Sequence, residues 1–447
     1  MVKAPMSKDL LMNYTAISLF FISIMSYFVG GLIALVVILV SVGVAVGCDL
    51  LLGKLMGGGN MASAMVFGFI VGLSYSLGNP IMATETIPGL ADGLEQLLYP
   101  ALISALGLIV FKRLQGKTGR KYVNPAAIAK LLVLFLLFLP ALSNVSALMA
   151  SDHAISIDLQ NPLTADAFGG PDYYPMDTSV FGATLITCYG EPNAMLAGNM
   201  YNLGTYEEPL LDVVYTMVMA KNHGWIGGFS SIIVIAVGLG LFYVSKGYIK
   251  WRITFVYLIT TAVLSLIFGF VYGGDLILRL VFHVFAGSSI FMAFFMATDP
   301  ATTPITRTGQ IIFGVGLAVL TIVIQVYTGF LGGSILALVL MNLTCPVLDR
   351  IGVPKARSER IACAVLPKAK KLGKLATTQC IRCGRCLYVC SSRLPTISIK
   401  EAADKEDWDR VKKLGVQYCQ QCGTCSFVCP ARIDLKGAML NAREKVK

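Results

Sequence analysis

Residues 31–52 read GLIALVVILVSVGVAVGCDLLL, an apolar run whose single charge, Asp49, lies near its far end. About 20 mostly apolar residues span a bilayer as a helix, so this stretch belongs in lipid. Runs of the same kind recur at 14–29, 62–78, 97–111, 127–149, 226–245, 253–272, 276–297, 309–329 and 333–348. They predict an all-α polytopic membrane protein with about ten transmembrane helices. Only Gly30-Gly31 and Gly332-Gly333 punctuate two of the pairs, which marks tight hairpins there. Composition agrees: the 447 residues are 56% hydrophobic and 14% charged, with mean hydropathy +0.72. Average soluble domains carry roughly a quarter charged residues, so an ordinary soluble enzyme and a disordered chain are both excluded.

The formal charge of +11 is uneven: residues 349–447 carry 21 Lys+Arg and 9 Asp+Glu, a net +12, and the rest carries −1. Lys112, Arg113, Lys117, Arg120 and Lys121 crowd one short loop, Lys246, Lys250 and Arg252 another, and Lys54 a third. The positive-inside rule makes these cytoplasmic, along with Lys3 and Lys8 before the first helix. The long segment 150–225 holds nine acids and one lysine, Lys221, and fits the opposite side. Its length points to function. No small-residue cleavage site follows a short apolar core at the start, so no removable signal peptide is expected. The predicted organisation is a transmembrane domain at 1–348, a basic linker at 349–379 and a cytoplasmic domain at 380–447.

Cys380, Cys383, Cys386 and Cys390 stand as C-x2-C-x2-C-x3-C, and Cys419, Cys422, Cys425 and Cys429 repeat the pattern with Pro430 behind. This is the bacterial ferredoxin run for two [4Fe-4S] clusters, in which the fourth cysteine serves the other cluster. Cys380, Cys383 and Cys386 therefore pair with Cys429, and Cys419, Cys422 and Cys425 with Cys390. Zinc normally takes two C-x-x-C pairs or Cys/His mixtures, which this spacing does not resemble. A small α+β or helical bacterial-ferredoxin-like domain is expected. Its basic surface suits acidic electron carriers through electrostatic steering, and no nucleic acid partner is expected.

Haem held by two histidines needs a pair inside the helices, yet of His153, His223 and His283 only the last lies well within a span. Arg279 and His283 sit one turn apart there, and ionisable groups in membrane helices are functional hypotheses by default. They are candidates for an anionic group, a phosphate or a flavin edge, or for a structural partner. Cys48, Cys188, Cys345 and Cys363 have no metal spacing.

The stretch FFMATDP at 294–300, followed by Thr302, Thr303 and Pro304, together with GKTGRKYVNPA at 116–126, resembles the RnfD/NqrB family. Its members are membrane components of Rnf electron-transport complexes and of the sodium-pumping NADH:quinone reductase. The resemblance covers the chain to about residue 350 and implies two related five-helix halves around flavins. It also implies FMN joined through its phosphate to a threonine on the outer side. The matching residues are Gly182, Ala183 and Thr184, with departures at Phe181, Asp177 and Leu185. A second, non-covalent riboflavin-type site near the cytoplasmic face is implied, with Asn124 and Asp299 as candidates. The tail departs from the family's usual length. Its CIRCGRC at 380–386 resembles the iron–sulfur segment of RnfC, the peripheral component of Rnf complexes, so a fusion is the simplest account.

These readings imply a cell-membrane subunit of an ion-translocating, Rnf-type ferredoxin oxidoreductase. It would carry electrons between cytoplasmic clusters and membrane flavins, beside other Rnf subunits, and couple them to Na⁺ or H⁺ transport. The rival is a flavin-free membrane anchor that reduces quinone in a heterodisulfide-reductase-like or dehydrogenase complex. No NAD fingerprint is visible, because the helix glycines lack a following strand–helix unit.

Overall fold

The computed structural model describes residues 6–56, 59–75, 92–114, 121–142, 218–219, 225–245, 247–272, 276–285, 289–328, 333–357, 363, 366 and 378–446. Among these residues the chain is helical and carries no β-strand ladder. The membrane part runs through α1 (Lys8–Met56), α2 (Met61–Leu73), α3 (Asp92–Leu106), α4 (Pro125–Leu142), α5 (Ser231–Ser245), α6 (Trp251–Tyr272), α7 (Leu276–Phe285), α8 (Ser289–Phe291), α9 (Arg307–Thr328) and α10 (Gly333–Leu348). α3 and α8 continue as π-helical turns over Gly107–Leu114 and Met292–Met296. Four described spans, Lys8–Phe28, Gly31–Leu55, Leu97–Leu114 and Arg307–Ile324, are long and apolar enough to cross a membrane.

The expected tight hairpin at Gly30-Gly31 divides α1 into two spans, Lys8–Phe28 and Gly31–Leu55, and the chain reverses there, since Asn60 Nδ2 donates to Asp9 Oδ1 at 2.8 Å across the two ends. Gly31 takes φ 70°, ψ −166°. That backbone region is open to glycine and costly for other residues. Two spans are shorter than the apolar run suggests. α2 stops at Leu73, and Ser74 caps it by donating its N–H to Gly72 and Ile70 carbonyls. α5 begins only at Ser231, after a short 3₁₀ turn at Ile226–Gly228. There Gly227 lies against the Phe291 ring, where a Cβ would come within 2.8 Å. These two interrupted ends meet, Ile226 donating its N–H to the Tyr75 carbonyl at 2.9 Å and Ser26 Oγ donating to the Ile226 carbonyl at 2.8 Å.

Large apolar side chains point outward on α1 and α6, Phe28, Leu32 and Phe270 among them. An outer belt of that kind is what lipid requires. Inside, hydroxyls are spent on their own helix: Ser23, Ser41 and Thr321 each donate to the carbonyl four residues earlier, so these groups need no water within the hydrocarbon. α1 packs on α2 through Gly68 and Gly72, whose added Cβ atoms would reach the Val42 and Ile38 Cα atoms at 2.6 and 2.8 Å. Small residues four apart let backbones approach this closely.

The tail is a compact helical unit of α11 (Arg385–Tyr388), α12 (Thr396–Ala403), α13 (Trp408–Lys413), α14 (Thr424–Phe427) and α15 (Leu435–Val446). Its core of Leu394, Ile399, Ala402, Val411, Val416 and Met439 is buried. The described residues of this domain contain helices and turns rather than an α+β arrangement.

Gly72→Ala should lower the thermal midpoint in detergent, since overpacking costs about 1–3 kcal/mol. Gly43→Ala, with nothing within 4 Å of the new Cβ, should not. Equal midpoints for the two variants would rule out the α1–α2 close contact.

Candidate functional site

The stretch FFMATDP ends the π-helical turn at Met296 and continues as a loop tied down at several points. Thr298 Oγ1 donates to the Phe294 carbonyl at 2.6 Å, Thr303 Oγ1 to the Asp299 carbonyl at 2.7 Å, and Cys345 Sγ to the Thr302 carbonyl at 3.0 Å. The Asp299 carboxylate accepts the Ala301 N–H at 3.1 Å. Lys250, fully buried just before α6, donates to the Pro300 carbonyl, the Thr303 carbonyl and Thr303 Oγ1 at 2.8, 2.8 and 2.9 Å. Burial pushes its pKa down to about 8, opposed by Asp349. Its three protons thus all find acceptors, which is what makes a buried ammonium tolerable.

The same loop receives the tail. The Asp349 carboxylate accepts the Ile305 N–H on one oxygen at 2.7 Å and the Arg382 guanidinium on the other at 2.5 Å. Arg382 also pairs with Glu401, whose side chain is 42% exposed, against 6% and 10% for Arg382 and Asp349. The pair with Asp349 is therefore the one shielded from water. Tyr388 Oη donates to the Ile305 carbonyl at 2.8 Å, and the Arg385 and Arg307 guanidinium groups lie over the Tyr248 and Tyr388 rings. Ile305 packs with Leu387, Ile397 and Leu435 of the tail, and with Cys380 and Cys386.

The eight motif cysteines fall into two sets. Cys380, Cys383 and Cys386 all feel the charge of Cys429, whereas Cys390 and Cys425 feel Cys419 and Cys422. A small pocket is lined by Cys390, Cys419, Cys422 and Cys425 together. Both loops repeat one backbone: Arg382 and Gln421 take φ 52° and 57°, Gly384 and Gly423 take 74°, and Arg393 and Arg432 take 52° and 56° after each fourth cysteine. Non-glycine residues in that region cost of order 1–3 kcal/mol each. The strained turns direct donors at sulfur: Arg382 N–H to Cys380 at 3.4 Å, Leu394 N–H to Cys390 at 3.3 Å, and Thr424 Oγ1 to Cys422 at 3.3 Å.

Burial pushes the Cys383 thiol up to about 12 and Cys386 higher still. Cys425 rises to about 11 for the same reason. Cys422 is also partly buried, but the Thr424 hydroxyl and N–H bonds outweigh that and bring it below the ordinary thiol value. Thiols held in apolar surroundings become thiolates only beside strong positive charge, which bound iron would supply. Eight thiols in two repeated loops are the donor chemistry that two [4Fe-4S] clusters would take.

A cavity of about 940 Å³ lies between the tail and the membrane helices. Cys380 and Arg382 line it from one side, and Phe67, Lys112, Lys121, Asn124, Thr298 and Asp299 from the other. The structure thus brings the two cytoplasmic-side flavin candidates, Asn124 and Asp299, to one space. Asn124 is also structural, because its Oδ1 accepts the Ala126 and Ala127 N–H groups that start α4 and its Nδ2 donates to the Met296 carbonyl at 3.2 Å. His283 is buried within α7 and is not among the cavity's lining residues. Gly182, Ala183, Thr184 and the Arg279 side chain lie outside the described residues.

Sequence reasoning passed over Lys130. It is 1% exposed inside α4, donates to the Ser74 carbonyl at the interrupted end of α2 at 2.5 Å, and sits 4.4 Å from the Trp225 ring centroid. A lysine alone in an apolar span was the available signal. Cys363 also gains a place, its Sγ donating to Gln420 Oε1 at 3.0 Å beside the second cysteine set.

Residues 1–357 match the family described as NQR2, RnfD, RnfE, and residues 379–433 match a 4Fe-4S dicluster domain. Among curated proteins, the chain is similar to the D component of the Na⁺-translocating ferredoxin:NAD⁺ oxidoreductase complex of Acetobacterium woodii. They are 37% identical over 143 residues, 31% of this chain and 42% of that protein. The proton-translocating counterpart of Clostridium ljungdahlii is 39% identical over 141 residues, 31% and 41% of the two chains. The D component of the ion-translocating oxidoreductase complex of Aeromonas hydrophila is 27% identical over 260 residues, 58% of this chain and 71% of that one. The chain spans about two fifths of the length of the first two relatives.

Removing one member of a buried ion pair costs about 3–5 kcal/mol. Asp349→Asn should therefore speed amide hydrogen exchange at residues 381–388 at least tenfold while leaving 435–446 unchanged. Unchanged exchange at 381–388 would mean that this pair does not hold the tail.

Proposed function

The chain belongs to the NQR2, RnfD, RnfE family, and from that premise we propose that it is the membrane subunit of an ion-translocating, Rnf-type ferredoxin oxidoreductase complex with its own iron–sulfur module. The observation that carries this reading is the seating of the first cysteine set against the FFMATDP loop, with Cys380, Asn124 and Asp299 on the walls of one cavity. When bound, two [4Fe-4S] clusters and the flavins supply a series of carriers that accept electrons singly.

In this reading Cys380, Cys383, Cys386 and Cys429 hold the inner cluster, and Cys390, Cys419, Cys422 and Cys425 the outer one. Asp349 and Arg382 fix the inner thiolates against the membrane helices. Ile305, Leu387, Ile397 and Leu435 keep water from that junction. Asn124 and Asp299 line the place for a non-covalent, riboflavin-type flavin, with Phe67, Phe294 and Phe295 as aromatic walls. Gly182, Ala183 and Thr184 are the attachment segment for covalent FMN on the outer side, and Arg279 and His283 are further candidates for a flavin's polar edge. The helices then cross the membrane ten times in two five-helix halves, with the tail cytoplasmic, and Na⁺ or H⁺ is the transported ion. Ferredoxin is the soluble partner, as the names of the relatives state for their own complexes.

Thr184→Val should abolish in-gel flavin fluorescence of the denatured chain while anaerobic iron and sulfide stay at two clusters per chain. Fluorescence that survives the substitution would remove Thr184 from the assignment. Zinc in place of iron would remove the electron path.

A further inference from the structure

The two cysteine sets differ in what surrounds them. The first is walled by the membrane domain: Ile381 and Cys383 join its core, Ile305 closes over Gly384 so that an added Cβ there would come within 3.1 Å of it, and Tyr388 is bonded to the Ile305 carbonyl. Among the described residues the second is walled by the tail and by the linker's Ala356 and Cys363, and its pocket is lined by Ser391, Gln420, Gln421, Gly423 and Lys436. Of these, Gln421 and Lys436 are exposed, as are Gln417 and Tyr418 beside Cys419.

The charge over this second set is positive. Arg393 is exposed on the turn that follows Cys390. Arg443 donates from Nη1 to the Cys419 carbonyl at 3.2 Å, and Lys412 and Lys413 are exposed at the end of α13, just before Cys419. Acids are nearby as well, Asp407 and Asp409 being exposed at the other end of α13. Asp434 is engaged with the Ser426 hydroxyl and the Gly437 N–H, and Glu444 is exposed on α15.

We propose that the face carrying Arg393, Lys436 and Arg443 is the docking surface for an acidic one-electron carrier protein, which makes the second cysteine set the outer terminus of the chain's electron path. The proposal rests on the cluster reading above and adds to it an order: outside, second set, first set, cavity. The transfer itself is one electron from the reduced carrier to the group held by the second set. The carrier is oxidised by one electron, that group is reduced by one, and no proton moves and no bond is made or broken. A basic face over the receiving group raises the encounter rate with an acidic partner and makes it salt-sensitive.

The test uses the anaerobically purified full-length protein in its complex, with a reduced acidic two-cluster ferredoxin as the probe in stopped flow. The doubly reversed variant R393E/K436E should lose at least tenfold in the second-order rate at low ionic strength, and its salt dependence should flatten. Lys54→Glu, an equal charge change per site on an exposed residue of the membrane domain, should leave both unchanged, and dithionite should reduce all three proteins alike. A wild-type rate and salt slope in R393E/K436E with full iron, or an equal loss in Lys54→Glu, would overturn the docking surface. A salt-insensitive wild-type rate would do so too, and would indicate that a neighbouring protein of the complex covers this face. Absence of reducible iron in the wild type would instead remove the cluster reading itself.

Discussion

One carboxylate connects the two parts of this protein. Asp349 stands just past the last membrane helix and accepts from Ile305 in the FFMATDP loop and from Arg382 between two cluster cysteines. The membrane loop thereby fixes where the first cysteine set sits, and that position creates the cavity above Asn124 and Asp299. Each partner of Asp349 is itself held: the loop by Lys250 and its threonines, and Arg382 by Glu401 and a left-handed backbone. Loss of this carboxylate leaves a buried guanidinium and a buried N–H together, an outcome more costly than a surface pair could produce.

Buried lysines serve a common purpose in the membrane part. Lys130 and Lys250 each sit where helix stops and carbonyls are left without intrahelical donors. An ammonium offers three donors and so closes such ends in the absence of water. The near-neutral balance of the first 348 residues conceals these fixed charges, because they are matched by carbonyl oxygens and aromatic faces as well as by acids.

Local pattern made much of this legible. The apolar runs marked the helices, the cysteine spacing marked the 4Fe-4S dicluster domain, and the 116–126 and 294–300 stretches led to the family to which residues 1–357 belong. What escaped was set by contacts far apart in sequence. The stop of α2 at Ser74 and the late start of α5 depend on Tyr75 meeting Ile226, and hydropathy alone extends both helices past that meeting. Asn124 drew notice for a ligand role, yet its amide is also the cap of α4. Cys363 had no motif spacing, and only the fold carries it to Gln420.

The contact between Lys8 and Pro430, a backbone N–H to carbonyl bond of 3.3 Å, has a consequence for how the protein is made. Residues from the start of α1, from 248–250, from 305–307 and from 349 all contribute to the seat that the tail occupies. A ribosome releases them in that order and delivers the second cysteine run after all of them. The seat is therefore finished before the module that fills it exists. The order of synthesis thus places the docking of the tail after its seat on the membrane part has been made.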